Sequence, residues 1–279
     1  MSPLTGTYRL WRALGVTENF DPACKLVTSP LFSPLVLAGF RLLIALYTLI
    51  TLCITVAFAS EDGAGDSYFS YFTHLSYIGL CSWFWASGIQ TLIFGIRAGS
   101  GNRAYPLQTW PRILQFLHML LFSTIIVYPI ITTAVFWSLL TSSTTLSGTV
   151  NAWTNISVHA LNTALAAFEI FLTNMPPTPY LHVVFLVILL AFYLGVAYIT
   201  FATQGFYVYD FLDPSEQGAL LAAYIVGIGA GCVVVFLVTR NLCLARQKIV
   251  ARFLPQSQPA TAEVMEVKAL RRPYRTENV

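Results

Sequence analysis

Charge is what this chain has least of. Asp, Glu, Lys and Arg together make up 10% of its 279 residues, against 56% hydrophobic ones, and the mean hydropathy is +0.68. A soluble domain carries about 25% charged residues, so this composition excludes one and reads as an integral membrane protein. Cysteine is sparse as well. The five cysteines (Cys24, Cys53, Cys81, Cys232 and Cys243) are scattered, with no C-x-x-C pair and no metal-ligand spacing to a histidine, which argues against structural disulfides and against zinc. There is no Gly-rich phosphate loop, no G-x-S-x-G and no H-E-x-x-H, and no metal or organic cofactor is implied. The net charge of +3 resides in short loops and tails with no aromatic-interleaved basic patch, so nucleic acid is not an expected partner. The N-terminus lacks an apolar run followed by a small-residue cleavage site, so no removable signal peptide is expected and the first span acts as the targeting signal.

What the chain does have is apolar length. A span needs about 20 largely apolar residues. Six stretches qualify: Leu35 to Ala59, Tyr71 to Ile96, Ile113 to Leu140, Val150 to Thr173, Leu181 to Ala202 and Ala219 to Thr239. The expected fold is all-α, a polytopic membrane protein of six transmembrane helices. Residues 1–34 read as an N-terminal tail, although Tyr8 to Leu14 has a small amphipathic face; residues 35–240 form the membrane domain; residues 241–279 form a C-terminal tail expected to be disordered after Arg252. The connections after spans one, three and five contain no Lys or Arg, and all fifteen basic residues lie in the tails, at the start of span one, or in the loop with Arg97, Arg103 and Arg112. The positive-inside rule then makes both termini cytosolic, which an even number of spans requires. Prolines in Met175 to Pro179 stop a helix there. Gly227 and Gly231 form a small-xxx-small pair, read as packing inside the bundle, with a homodimer contact as the alternative. Membrane lipids are the expected partners, and the endoplasmic reticulum and the plasma membrane are both compatible locations.

The fourth span is the least hydrophobic, and it is polar along one side. On a helix of ~3.6 residues per turn, Asn155, His159, Asn162 and Glu169 share a face, and polar groups at membrane depth turn toward the bundle interior and mark a functional site by default. With the topology above, Thr73 and His159 fall in the same half of the bilayer. A threonine hydroxyl becomes a useful nucleophile only with a base in reach; His159 fits that role, with Asn155 or Asn162 fixing its tautomer or donating to an oxyanion. The plain alternative is that Thr73 bonds the carbonyl one turn back and the polar face holds helices together. His74, about 100 degrees round the helix from Thr73, reads as interfacial. Arg41, Gln90, His118 and Glu169 share a second depth. An Arg41–Glu169 ion pair is the simplest way to neutralise both charges, and a substrate carboxylate clamped by Arg41 is the sharper alternative.

Three patches carry a resemblance: Y-F-T at Tyr71 to Thr73, N-x-x-x-H-x-x-N from Asn155 with Glu169 ten residues after His159, and Gly205-Phe-Tyr-Val-Tyr-Asp-Phe-Leu212 after span five. Together they resemble the androgen-induced protein family, with this chain similar to a fungal-type member over roughly residues 35–240. The resemblance implies a six-span protein with cytosolic termini and a threonine hydrolase acting on fatty acid esters of hydroxy fatty acids, with Thr73 as nucleophile and His159 as base. His74 departs from the pattern of the animal members that the chain resembles, which carry an apolar or aromatic residue there. The same N-x-x-x-H-x-x-N motif also resembles the rolling stone membrane proteins, which implies the alternative of a non-enzymatic scaffold or lipid-binding protein. A transporter is disfavoured, because no internal repeat or matched pair of broken spans is present.

Overall fold

The computed structural model of the chain describes residues 3–253, of which 78% are helical, with no strand. After a surface helix α1 (Pro3–Ala13) come six helices long and apolar enough to cross a membrane. They are α2 (Pro34–Glu61), α3 (Phe72–Gly99), α4 (Arg112–Leu140), α5 (Thr149–Leu172), α6 (His182–Gln204) and α7 (Leu220–Phe253). Their starts and stops follow local chemistry. Pro34 sits at the first position of α2, where its missing N–H costs nothing, and Ser33 caps the helix by accepting from the Val36 amide. Gly205, at φ 80°, ends α6 in the left-handed conformation that glycine adopts without strain, and this turns residues 206–212 back toward the bundle.

The core is filled by large side chains from α3, α4 and α7, among them Trp83, Tyr77, Phe84, Phe122 and Phe236, all essentially sealed from solvent. α2 and α3 form the most extensive helix pair among the described residues. Their approach is set by Gly88 and Gly95, where an added Cβ would meet Leu42 Cδ2 at 2.9 Å and Leu35 Cδ2 at 2.7 Å. Gly227 and Gly231 do not play this part: a Cβ on either meets nothing within 4 Å. The reading of this pair as packing inside the bundle therefore does not hold, because α7 turns that side away from its neighbours in the chain.

Two boundaries also differ from the sequence reading. The stretch after α1 is no loose tail: Val16, Phe20, Leu26 and Val27 are core residues. Asp21 organises it. Its carboxylate accepts from the Lys25 and Leu26 amides at 2.8 and 3.0 Å and from Tyr105 Oη at 2.6 Å, while burial raises its pKa above the usual carboxylate value. His182 Nε2 donates to the Leu14 carbonyl, which leaves Nδ1 to accept from Ser123 at 2.7 Å. At the other boundary α7 continues past Thr239 to Phe253, because Cys243 and Arg246 are buried, with Arg246 donating to the Met175 carbonyl. The tail expected to be disordered lies outside the described residues.

Candidate active site

The site forms where α3 begins. A 3-10 turn (Gly65–Ser70) delivers the chain to Tyr71, whose extended backbone precedes the helix without a side-chain cap. The first amides of α3 therefore need outside acceptors. One comes from the segment that Gly205 redirects: Phe72 N–H donates to Tyr209 Oη at 3.2 Å. Tyr193 donates to the Ser70 carbonyl at 3.0 Å, and Tyr209 stacks on Phe211 with ring centroids 5.1 Å apart. Burial raises the Tyr209 pKa, so its phenol stays protonated.

Thr73, the second residue of α3, is 7% exposed and borders two adjoining spaces. One is a cavity of about 320 Å³ lined by Tyr71, Thr73, His74, Phe136, His159 and Tyr209. The other is an apolar chamber of about 200 Å³ walled by Ile131, Val135, Leu190, Leu194, Leu212 and Ile228. Thr73, Phe136, Leu140 and Tyr209 border both.

His159 reaches the cavity from α5. Its ring lies flat on Phe136, with centroids 3.5 Å apart and planes 3° from parallel, and its Nδ1 is buried without a hydrogen-bond partner. Thr73 and His159 share the cavity without a direct hydrogen bond. Residues Ser157–Leu161 form a π-helical turn, a feature frequent at functional sites. The π turn lies between Asn155 and Asn162, so 3.6-residue spacing does not carry Asn155 onto the inward face that His159, Asn162 and Glu169 bury. Asn155 donates instead to the Thr145 carbonyl at 2.9 Å and to Asn151 Oδ1 at 3.0 Å, fastening the 141–148 connection. Asn162 accepts from Thr133 Oγ1 at 3.0 Å, tying α5 to α4. Neither hydrogen-bonds to His159, so neither fixes its tautomer.

The second group settles differently. Arg41 and Glu169 pair through two hydrogen bonds, Nε to Oε1 at 2.8 Å and Nη2 to Oε2 at 2.7 Å, both residues fully buried. Arg41 Nη1 donates to the Leu26 carbonyl and to Thr91 Oγ1 at 2.9 and 2.6 Å. With its donors so engaged and no exposed surface, Arg41 has no room to clamp a substrate carboxylate. Gln90 accepts from the Leu107 amide at 3.0 Å, and His118 packs on Trp83, so neither belongs to a reactive cluster.

Two residues of the cavity were not legible as site residues. Tyr209 lies in the Gly205 to Leu212 patch, but nothing in its spacing says that the segment folds back onto α3. His74 also lines the cavity, with its ring stacked on Tyr68 at a centroid distance of 3.8 Å.

A six-helix integral membrane protein with a mixed polar and apolar cavity at one end of its bundle is the class that this fold and site define. The family described as FAR-17a/AIG1-like protein, which is the androgen-induced gene 1 family, matches residues 40–243, and the chain belongs to it. No curated protein and no solved structure matches the chain.

Proposed function

We propose that this protein is an intramembrane ester hydrolase in which Thr73 is the nucleophile and His159 its base. One observation supports the reading above others: Thr73 and His159 border a common cavity, and Thr73 alone of the two also borders the apolar chamber beside it. The acyl chain of a lipid ester occupies the chamber, which brings its carbonyl to Thr73. His159 accepts the hydroxyl proton as Oγ attacks and returns it to the departing alcohol, and water then releases the acyl group. Tyr209 suits the oxyanion: its oxygen already accepts the Phe72 amide, which leaves its O–H to point at the developing charge. Fatty acid esters of hydroxy fatty acids, the class implied by the family resemblance, are apolar on both sides of the ester and suit such a chamber. Both termini face the cytosol in this reading, and the site opens to the opposite half of an endoplasmic reticulum or plasma membrane.

A second reading, a lipid-binding scaffold without chemistry, takes support from the flat stacking of His159 on Phe136 and from the missing Thr73–His159 hydrogen bond. Labelling of the purified protein in detergent with a fluorophosphonate separates the two. The hydrolase reading expects wild type to label and Thr73→Ala and His159→Ala to lose the label while remaining folded. A folded wild type that takes no label overturns it in favour of the scaffold.

A further inference from the structure

We propose that His74 is a second base of this site, the one that activates the water that frees the acyl group from Thr73; the inference rests on the threonine hydrolase reading. The surroundings of His74 fix its tautomer. His74 Nδ1 lies 2.7 Å from the Tyr68 carbonyl oxygen, and a carbonyl can only accept, so Nδ1 carries the proton and Nε2 keeps its lone pair. The ring is held in place. It stacks on Tyr68 with planes 5° from parallel, Tyr71 meets it at an angle with centroids 5.6 Å apart, and Tyr68 is itself fixed by a 2.6 Å hydrogen bond to Thr55. This is the arrangement of a base oriented by a third group. His159, across the cavity, has no partner for its own Nδ1.

Geometry also divides the work between the two histidines. Thr73 and His74 are consecutive on α3 and diverge by about 100 degrees, so His74 is badly placed to take the Thr73 proton directly. The cavity of about 320 Å³ between them has space for water, whose share of liquid volume is about 30 Å³. In the second half of the reaction His74 Nε2 takes a proton from this water as its oxygen bonds to the acyl carbon. The intermediate then collapses, the bond from that carbon to Thr73 Oγ breaks, and the proton returns from His74 to Oγ through a second water of the cavity. Fatty acid and free threonine result, with every proton accounted for.

The test uses the full-length protein in detergent with para-nitrophenyl octanoate as probe. His74→Asn keeps a donor for the Tyr68 carbonyl but removes the base. Expected are a preserved initial burst, preserved fluorophosphonate labelling, steady-state turnover lower by about 10²-fold or more, and an acyl adduct on Thr73 that accumulates in the intact-protein mass. His74→Phe, which keeps a flat ring on Tyr68, gives the same readout should the asparagine variant fail to fold. Unchanged turnover in a folded variant overturns the role of His74 and leaves Thr73 standing. Loss of the burst and the label together also overturns it, because His74 would then serve the first half of the reaction. A wild type with neither burst nor label overturns the hydrolase reading and this inference with it.

Discussion

Arg41 and Glu169 show how a single side chain governs this bundle. Each is sealed from solvent, and each satisfies the other through a two-point contact between α2 and α5. Such a pair adds little net stability over apolar residues, but removing one partner strands a charge, at a cost of about 3–5 kcal/mol. Arg41→Ala and Glu169→Ala are therefore each expected to lower stability by about that amount, while Arg41→Met combined with Glu169→Leu recovers most of the loss; thermal unfolding in detergent measures both. A double variant no better than the worse single one would mean that the Leu26 and Thr91 contacts of Arg41 matter more than its charge partner. The pair was legible because charges are so rare here that two opposite ones at matching depth have few other partners. The neighbours of His159 were not. Spacing arguments assume a regular helix, and the π turn at Ser157–Leu161 breaks that assumption just where it was applied.

At the scale of elements, the six helices follow directly from apolar run length, and their ends from Ser33, Pro34, Gly205 and the prolines after Met175. Which helices pack closely is a harder matter, since small residues occur on several. Gly88 and Gly95 are the ones that bring backbones together, with Leu35 N only 3.2 Å from where a Cβ at Gly95 would stand. Overpacking a filled interface costs about 1–3 kcal/mol. Gly95→Leu is expected to destabilise the protein by that order, whereas Gly227→Leu, on an open face, shifts stability by less than about 0.5 kcal/mol. Equal shifts in the two variants, read from thermal unfolding in one detergent, would contradict the assignment of the close contact to α2 and α3. The extension of α7 to Phe253 was hidden for another reason: Arg246 reads as a tail residue until the carbonyl it meets, in the loop after α5, is known.

Over the whole molecule, the connections after α2, α4 and α6, which carry no Lys or Arg, lie at the cavity end, and the loop with Arg97, Arg103 and Arg112 lies at the other, where the uncharged connection after α5 meets Arg240 and Arg246. If both termini are cytosolic, a membrane-impermeant maleimide applied to sealed cells should label Asp62→Cys and Ser142→Cys, in a Cys53→Ser background that removes the exposed native thiol. Ser100→Cys should label only after permeabilisation, and the reverse pattern would invert the topology. The long reach of the Arg41–Glu169 pair also bears on how the bundle is made. The two residues are 128 positions apart, so at about 5–20 residues per second of synthesis α2 emerges roughly 6–26 s before its partner charge. During that interval Arg41, in the second turn of α2, keeps its charge solvated by stretching to the headgroups. The ion pair that joins the first span to the fourth can therefore form only once the fourth has been made.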